Sequence, residues 1–568
     1  MRLTGRLLTG LAAVLVGAAL AGPGHAATTA RNPIAAENAL PGTAAWNTVQ
    51  APFRYVEGYA SEVSVMPGET VHFHVQTEPA ARYRIYIYRL GWYGGLGGRL
   101  MTCLPSCETD EQGAPQPVTP FDPATGLNRP NWPVTDTFTI PADWVSGYYT
   151  VRLILTTGPG SRAGSTVPLI VRALPTRAST ILVDAPVNTW QAYDSWGGRS
   201  LYTFRNGYGS NRVAFDRPYV HGEQDMFEWE YQAVRYLERE GYDVSYTTDV
   251  DVDRYPGELL RHRLFMMIGH NEYWTKVMRD GIEAARDQGT NLAFLGGNTG
   301  YWQLRYEDNR EVLVEYRIRS VDPEPNPGLK TTQFRLLGPP RPECEVVGVQ
   351  WQDGIGFESD FPVSNAALGD PYFAGTGFTP NSVLKQLIGG EWDGVQQGCD
   401  VPTPTVLFHF PAQMDRGPAD VTRYTAVGGA RVFSGSSLRF SWGLDDWGQD
   451  HPPADPRLQR FMKNVLDDLT RPAAPTQLAA AFAKKRKAVV LTFKRYPDVR
   501  VRWIAVYRHS GRKTFGIDDR GTQLACVSTG TSCLDKALPF PAVVRYAAVT
   551  RDSWRTSVPI YSSPVRTR

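Results

Sequence analysis

His270 and Glu272 stand two residues apart, just past an apolar run, Leu264–Gly269. On extended backbone, alternate side chains project to the same side. An imidazole and a carboxylate aimed together into a crevice can ligate a metal ion or act as a general acid and base. The plainer reading is a histidine hydrogen-bonded at a strand end, with the glutamate capping the next helix. Asn298, after Gly296-Gly297, can anchor a developing oxyanion or can simply tolerate a tight glycine turn. Three other chemistries are disfavoured. Asp249-Val-Asp-Val-Asp253 opens like a calcium loop, but Arg254 stands where such a loop needs glycine and Leu260 where it needs glutamate, so these aspartates read as solvated loop residues. No helix N-terminus follows Gly296–Gly300 to cradle a phosphate. No G-x-S-x-G elbow is present, and no cysteine stands at a strand-to-helix turn.

Such residues need a scaffold that brings strand ends together. Thr180–Ala185, Asp243–Thr248, Leu264–Gly269 and Asn291–Leu295 read as largely apolar strands. Helical spacing over Trp229–Gly241 and Thr275–Gln288, the latter closed by Gly289, alternates with them. Thr405–His409 and Ala430–Ser434 continue as strands, and a helix over Pro456–Leu469 closes the unit. This pattern predicts a central α/β domain over 176–470 with a mostly parallel sheet, flavodoxin- or amidotransferase-like. In such sheets ligands bind beyond the carboxyl ends of the strands. Polar and aromatic residues concentrate just there: Asn188, Trp190, Tyr193 and Trp196 after the first strand, His270 to Trp274 after the third, and Asn298, Tyr301 and Trp302 after the fourth.

Short alternating runs over 55–175 predict an N-terminal β-sandwich, interrupted by the glycine-rich loop Gly91–Arg99, whose Trp92 and Tyr93 read as exposed. An extended arm (27–54) precedes it. After a linker at 471–476, residues 477–568 resemble a fibronectin type III module. At the N-terminus Arg2 and Arg6, an apolar run to about Ala21, and Gly24-His25-Ala26 form a secretory signal over 1–26. The six cysteines suit an oxidising compartment. They allow fifteen pairings, and proximity favours Cys103 with Cys107, Cys344 with Cys399 and Cys526 with Cys533. Removing Arg2 and Arg6 from the 59 basic residues leaves 57 against 57 acidic. That balance carries no electrostatic footprint for nucleic acid or an anionic membrane, and no later run is long and apolar enough to span a bilayer.

Four separated motifs, Tyr88–Arg99, Asn188–Tyr193, Gly269–Trp274 and Gly296–Asn298, together resemble the large (beta) subunit of N,N-dimethylformamidase and its relatives, over about Tyr55 to Thr470. The resemblance implies an amide hydrolase with one mononuclear ferric ion held by two tyrosinates and a glutamate. Carried over, it implies Glu272, Tyr193 and Tyr231 as metal ligands, with Tyr202 and Tyr219 as rivals to Tyr231. It implies His270 and Asn298 as catalytic residues, and Trp190, Trp196, Tyr273 and Trp302 as pocket walls. The lysine that the family places near its metal has no evident counterpart, and the signal segment and fibronectin-like module depart from the family enzyme. The expected protein is thus a secreted iron-dependent amidase acting on a small amide, alone, as a homo-oligomer or with a small partner subunit. The alternative is a secreted glycan- or ligand-binding protein with a degenerate site.

Overall fold

The computed structural model describes residues 32–202, 209–220, 226–413, 416–448, 451–495, 501, 503–538, 541–551 and 556–567. The expected signal segment, 1–26, lies outside them. Within the arm expected to be extended, Pro33–Asn38 forms a short helix capped by the Asn32 side chain.

Apolar residues alternating along Thr70–Thr77, Arg82–Leu90, Gly147–Leu155 and Gly164–Val171 build two facing sheets, one of three strands and one of six. Their core includes Phe73, Ile85, Ile87, Val151, Leu153 and Leu169. The loop after Leu90 is not a free aromatic platform. Tyr93 is 2% exposed and its hydroxyl donates to Glu37 Oε1 at 2.7 Å. Trp92 carries the guanidinium carbons of Arg235 and Arg239 at 4.9 and 5.3 Å from its ring.

Next comes a seven-stranded sheet in the order Val244–Thr248, Ile181–Ala185, Leu264–Ile268, Asn291–Leu295, Arg431–Ser434, Ala419–Thr425, Thr405–Phe410. The first five strands run parallel, and Ala419–Thr425 is antiparallel to both of its neighbours, Arg431–Ser434 and Thr405–Phe410. Although these five strands run parallel, the expectation of a flavodoxin-like, mostly parallel α/β domain is corrected by the remaining sheets. The described residues form seven sheets, most of them antiparallel or mixed, and strands dominate over helices. The departure comes from residues 296–430, which carry few apolar runs and gave little pattern to read. They supply three strands of a five-stranded mixed sheet around Trp302–Glu307, whose other two are Arg212–Ala214 and Tyr273–Thr275, a long two-stranded ribbon (Gln350–Pro362 with Val383–Gly394), and the antiparallel hairpin that completes the seven-stranded sheet.

Val489, Leu491, Ile504, Val506, Val544 and Tyr546 form the core of the C-terminal strands. The cysteines pair as Cys103–Cys107, Cys344–Cys399 and Cys526–Cys533. No helix of the described residues is long and apolar enough to cross a membrane.

Candidate active site

The strand Leu264–Ile268 is buried throughout and ends at Gly269, whose φ of 69° and surroundings both demand glycine. A Cβ there would lie 2.3 Å from the Glu230 side chain. The neighbouring strand Asn291–Leu295 ends at Gly296, where a Cβ would lie 1.8 Å from the Gly269 carbonyl oxygen. Close approach of these two turns sets the loops beyond them side by side. The N–H groups of Tyr301 and Trp302 donate to the Glu272 carbonyl at 2.9 and 3.0 Å, and Tyr273–Thr275 then pairs in parallel with Trp302–Leu304. The helix Val187–Tyr193 grips the same loop from the other side. Thr189 Oγ1 accepts from the Glu272 N–H at 3.1 Å, and Asn188 Nδ2 donates to the Tyr273 carbonyl at 3.0 Å.

Glu272, 3% exposed, is the hub. Tyr193 donates its hydroxyl to Oε2 at 2.9 Å. Tyr202 lies 2.9 Å from Oε1 and 2.8 Å from Oε2. Trp302 Nε1 donates to Oε1 at 2.9 Å. His270 Nε2 is 3.5 Å from Glu272 Oε2 and equally 3.5 Å from Glu391 Oε2 on the ribbon. Behind Tyr202 the network continues, since Tyr273 donates to the Tyr202 hydroxyl at 2.7 Å and Arg317 Nη2 donates to the Tyr273 hydroxyl at 2.9 Å. The Arg317 guanidinium also lies 3.9 Å over the Tyr202 ring. Asn298 adopts a φ of 53°, its N–H donates to Asp393 Oδ1 at 2.9 Å, and its Oδ1 is buried with no hydrogen-bond partner among the described residues.

Burial dominates the electrostatics. It lifts the Glu272 carboxyl to about 7; the facing Glu391 adds to the rise and His270 opposes it. The phenols of Tyr193 and Tyr202 are held well above their ordinary range, first by burial and then by the Glu272 charge. In Arg317, burial works against the charged form, but Tyr273, Tyr202 and Glu272 outweigh it and keep the guanidinium firmly protonated.

The family described as "N,N-dimethylformamidase beta subunit-like, C-terminal" matches residues 84–454, more than half of the 568-residue chain. The chain belongs to that family. No curated protein matches it. Among solved structures, an Fn3-like protein from Clostridium thermocellum is 16% identical over 17% of this chain and 92% of its own, with a TM-score of 0.14. A titin segment is 14% identical over 17% of this chain and 32% of its own, with a TM-score of 0.15. The chain thus spans about a third of that titin segment, and likenesses of this size carry no argument.

In this N,N-dimethylformamidase-like chain the structure brings together Tyr193, His270, Glu272, Tyr273 and Trp302, with Asn298 on the adjoining turn. It does not bring Tyr231 to them. The Tyr231 hydroxyl donates to the Gly97 carbonyl, and its ring packs on Trp46 and Trp447, so its helix face looks toward the N-terminal sheets. Tyr202 occupies the place expected of it. Tyr219 is buried beside Arg217 and Asp194. Two expected pocket walls are packing residues: Trp190 donates to Glu230 Oε1 at 2.8 Å, and Trp196 lies in a cluster with Tyr59 and Trp132.

Sequence reasoning missed Glu391 and Arg317. Glu391 lies 119 residues beyond Glu272 on a ribbon with no legible pattern, marked only by Gly389-Gly390 before it. Arg317 carries a left-handed backbone, φ 62°, uncommon for a residue with a side chain. The aspartates after Thr248 are corrected too. They lie on the helix Asp249–Arg254, buried, with Asp251 accepting from Ser64 and Thr248 at 2.6 Å each.

Proposed function

We propose that the protein is an N,N-dimethylformamidase-like amidohydrolase that cleaves the C–N bond of a small non-peptide amide, with a ferric ion held by Tyr193, Tyr202 and Glu272. The observation that carries this reading is the convergence of two phenol oxygens on one buried carboxylate at 2.8–2.9 Å. Among the described residues no three of His, Cys, Asp and Glu gather as a metal site; the donor set here is phenol and carboxylate, hard oxygens suited to a hard ion. Without a cation both phenols stay protonated, and a trivalent ion is the partner that lets them ionise. When bound, it supplies Lewis acidity toward the amide oxygen.

The remaining work belongs to the chain's own side chains. Glu391 Oε2 is buried with no hydrogen-bond partner among the described residues, and takes the proton of the attacking water. Water oxygen bonds to the carbonyl carbon while Asn298 holds the amide oxygen. His270, 3.5 Å from both carboxylates, passes the proton to the departing nitrogen as the C–N bond breaks, giving a carboxylic acid and an amine. Trp302 holds Glu272 in place, and Arg317 offsets the negative charge behind Tyr202. The N-terminal signal pattern and the three disulfides support an extracellular setting.

The test is amine release from N,N-dimethylformamide and a series of larger tertiary amides by the ferric-loaded full chain. Hydrolysis of at least one is expected, falling about 10²- to 10⁴-fold in Glu391→Gln with iron retained. Failure to release amine from any of them would contradict the proposal.

A further inference from the structure

Beneath the site, two carboxyl groups meet in the interior. Asp184, on the strand Ile181–Ala185, and Asp249, at the start of the next helix, are each 0% exposed and lie within hydrogen-bond reach of one another. Each gives one oxygen to a donor tied to the active site. Asp184 Oδ2 accepts from Asn271 Nδ2 at 2.8 Å, and Asn271 is the residue between His270 and Glu272. Asn271 is gripped on its other side by Trp274 Nε1 at 2.6 Å. Asp249 Oδ2 accepts from the Asn188 N–H at 2.8 Å, in the first turn of the helix that ends on Tyr193. The second oxygen of each, Oδ1, is buried with no donor among the described residues.

Two adjacent buried carboxylates cannot both carry charge at tolerable cost, and Glu230 and Asp251 nearby add further negative field. One proton between the pair removes one charge and gives each orphan oxygen a partner in a single O–H···O bond. We propose that Asp184 and Asp249 share one proton and act as a positioning pair, coupling the loop that carries Glu272 to the helix that carries Tyr193. Neither touches a reacting atom. What they position rests on the function proposed above; the shared proton does not.

The infrared spectrum of the metal-free full chain at neutral pH tests the proton, since a protonated carboxyl has a carbonyl stretch distinct from that of a carboxylate. A band present in the wild type and missing from Asp249→Asn is expected, and no difference between the two spectra would overturn the pair. Ferric titration tests positioning. Asp249→Asn, whose amide can replace both hydrogen bonds, should bind ferric ion as the wild type does, with the same visible absorption. Asp249→Leu should bind about 10- to 100-fold more weakly, the usual effect of losing a residue that orients a ligand. Should Asp249→Leu not fold, Asn271→Ala cuts the same link and should give the same loss. Wild-type affinity in a folded Asp249→Leu or Asn271→Ala would overturn the positioning role. If the wild type itself binds no iron, the proposed function fails while the infrared comparison still decides the shared proton.

Discussion

The Tyr202 hydroxyl spans both oxygens of Glu272, at 2.9 and 2.8 Å, although 70 residues separate the two in sequence. Tyr193, at the end of the helix Val187–Tyr193, reaches the same carboxylate at 2.9 Å. The site is therefore a cluster of two phenol oxygens around one carboxylate, brought together from Tyr193, Tyr202 and Glu272.

This geometry separates two tyrosines that the sequence left as rivals. Tyr202→Phe is expected to lose ferric binding and its visible tyrosinate absorption. Tyr231→Phe, which removes a hydroxyl bonded to the Gly97 carbonyl, should keep both. Metal analysis and an absorption spectrum of each variant check this.

Stability of the metal-free protein should fall as pH rises. Burial raises the folded-state carboxyls of Glu272 and Asp393 to about 7. The folded state therefore binds protons that the unfolded chain has already released between about 4.5 and 7. The stabilisation is fully present below the unfolded value and is lost as pH climbs through 7. For Glu272 it is of the order of 3 kcal/mol at most. Urea titrations at pH 5 and 7.5 should show the decline, and Glu272→Gln should flatten it. Ferric affinity should move the opposite way, rising with pH, because the carboxylate and phenolates must be free of protons to bind.

Much of the scaffold was legible. Leu264–Ile268 and Asn291–Leu295 are largely apolar because they are buried on both faces, and the strand-end glycines mark the turns that lead into the buried His270 and Glu272. What was not legible is tertiary. Tyr231 sits on an inward helix face, as its spacing implies, but nothing local says which neighbour that face meets. Asp249, Asp251 and Asp253 look like loop aspartates until donors from distant elements, such as Asn188, Ser64 and Thr275, each reach one of their oxygens. Glu391 reaches His270 only because a long ribbon folds back over the sheet.

Among the contacts that join the N-terminal sheets to the rest is a fully buried ion pair. Arg89 Nη2 lies 2.7 Å from Glu238 Oε1 with both side chains 0% exposed, and Tyr246 and Asn38 also donate to Glu238 at 2.9 and 2.7 Å. Glu238→Ala leaves the guanidinium buried without its counter-charge. It should destabilise the protein by about 3–5 kcal/mol in urea unfolding, and Arg89→Met combined with Glu238→Leu should recover much of that loss.

The most direct test is the iron content and visible spectrum of the purified full chain beside Glu272→Ala. The expected result is near-stoichiometric iron with a tyrosinate-to-iron absorption band in the wild type, both absent from a Glu272→Ala protein that still folds. A wild-type protein that folds normally yet stays colourless and metal-free after exposure to ferric ion would contradict a metal site at Tyr193, Tyr202 and Glu272.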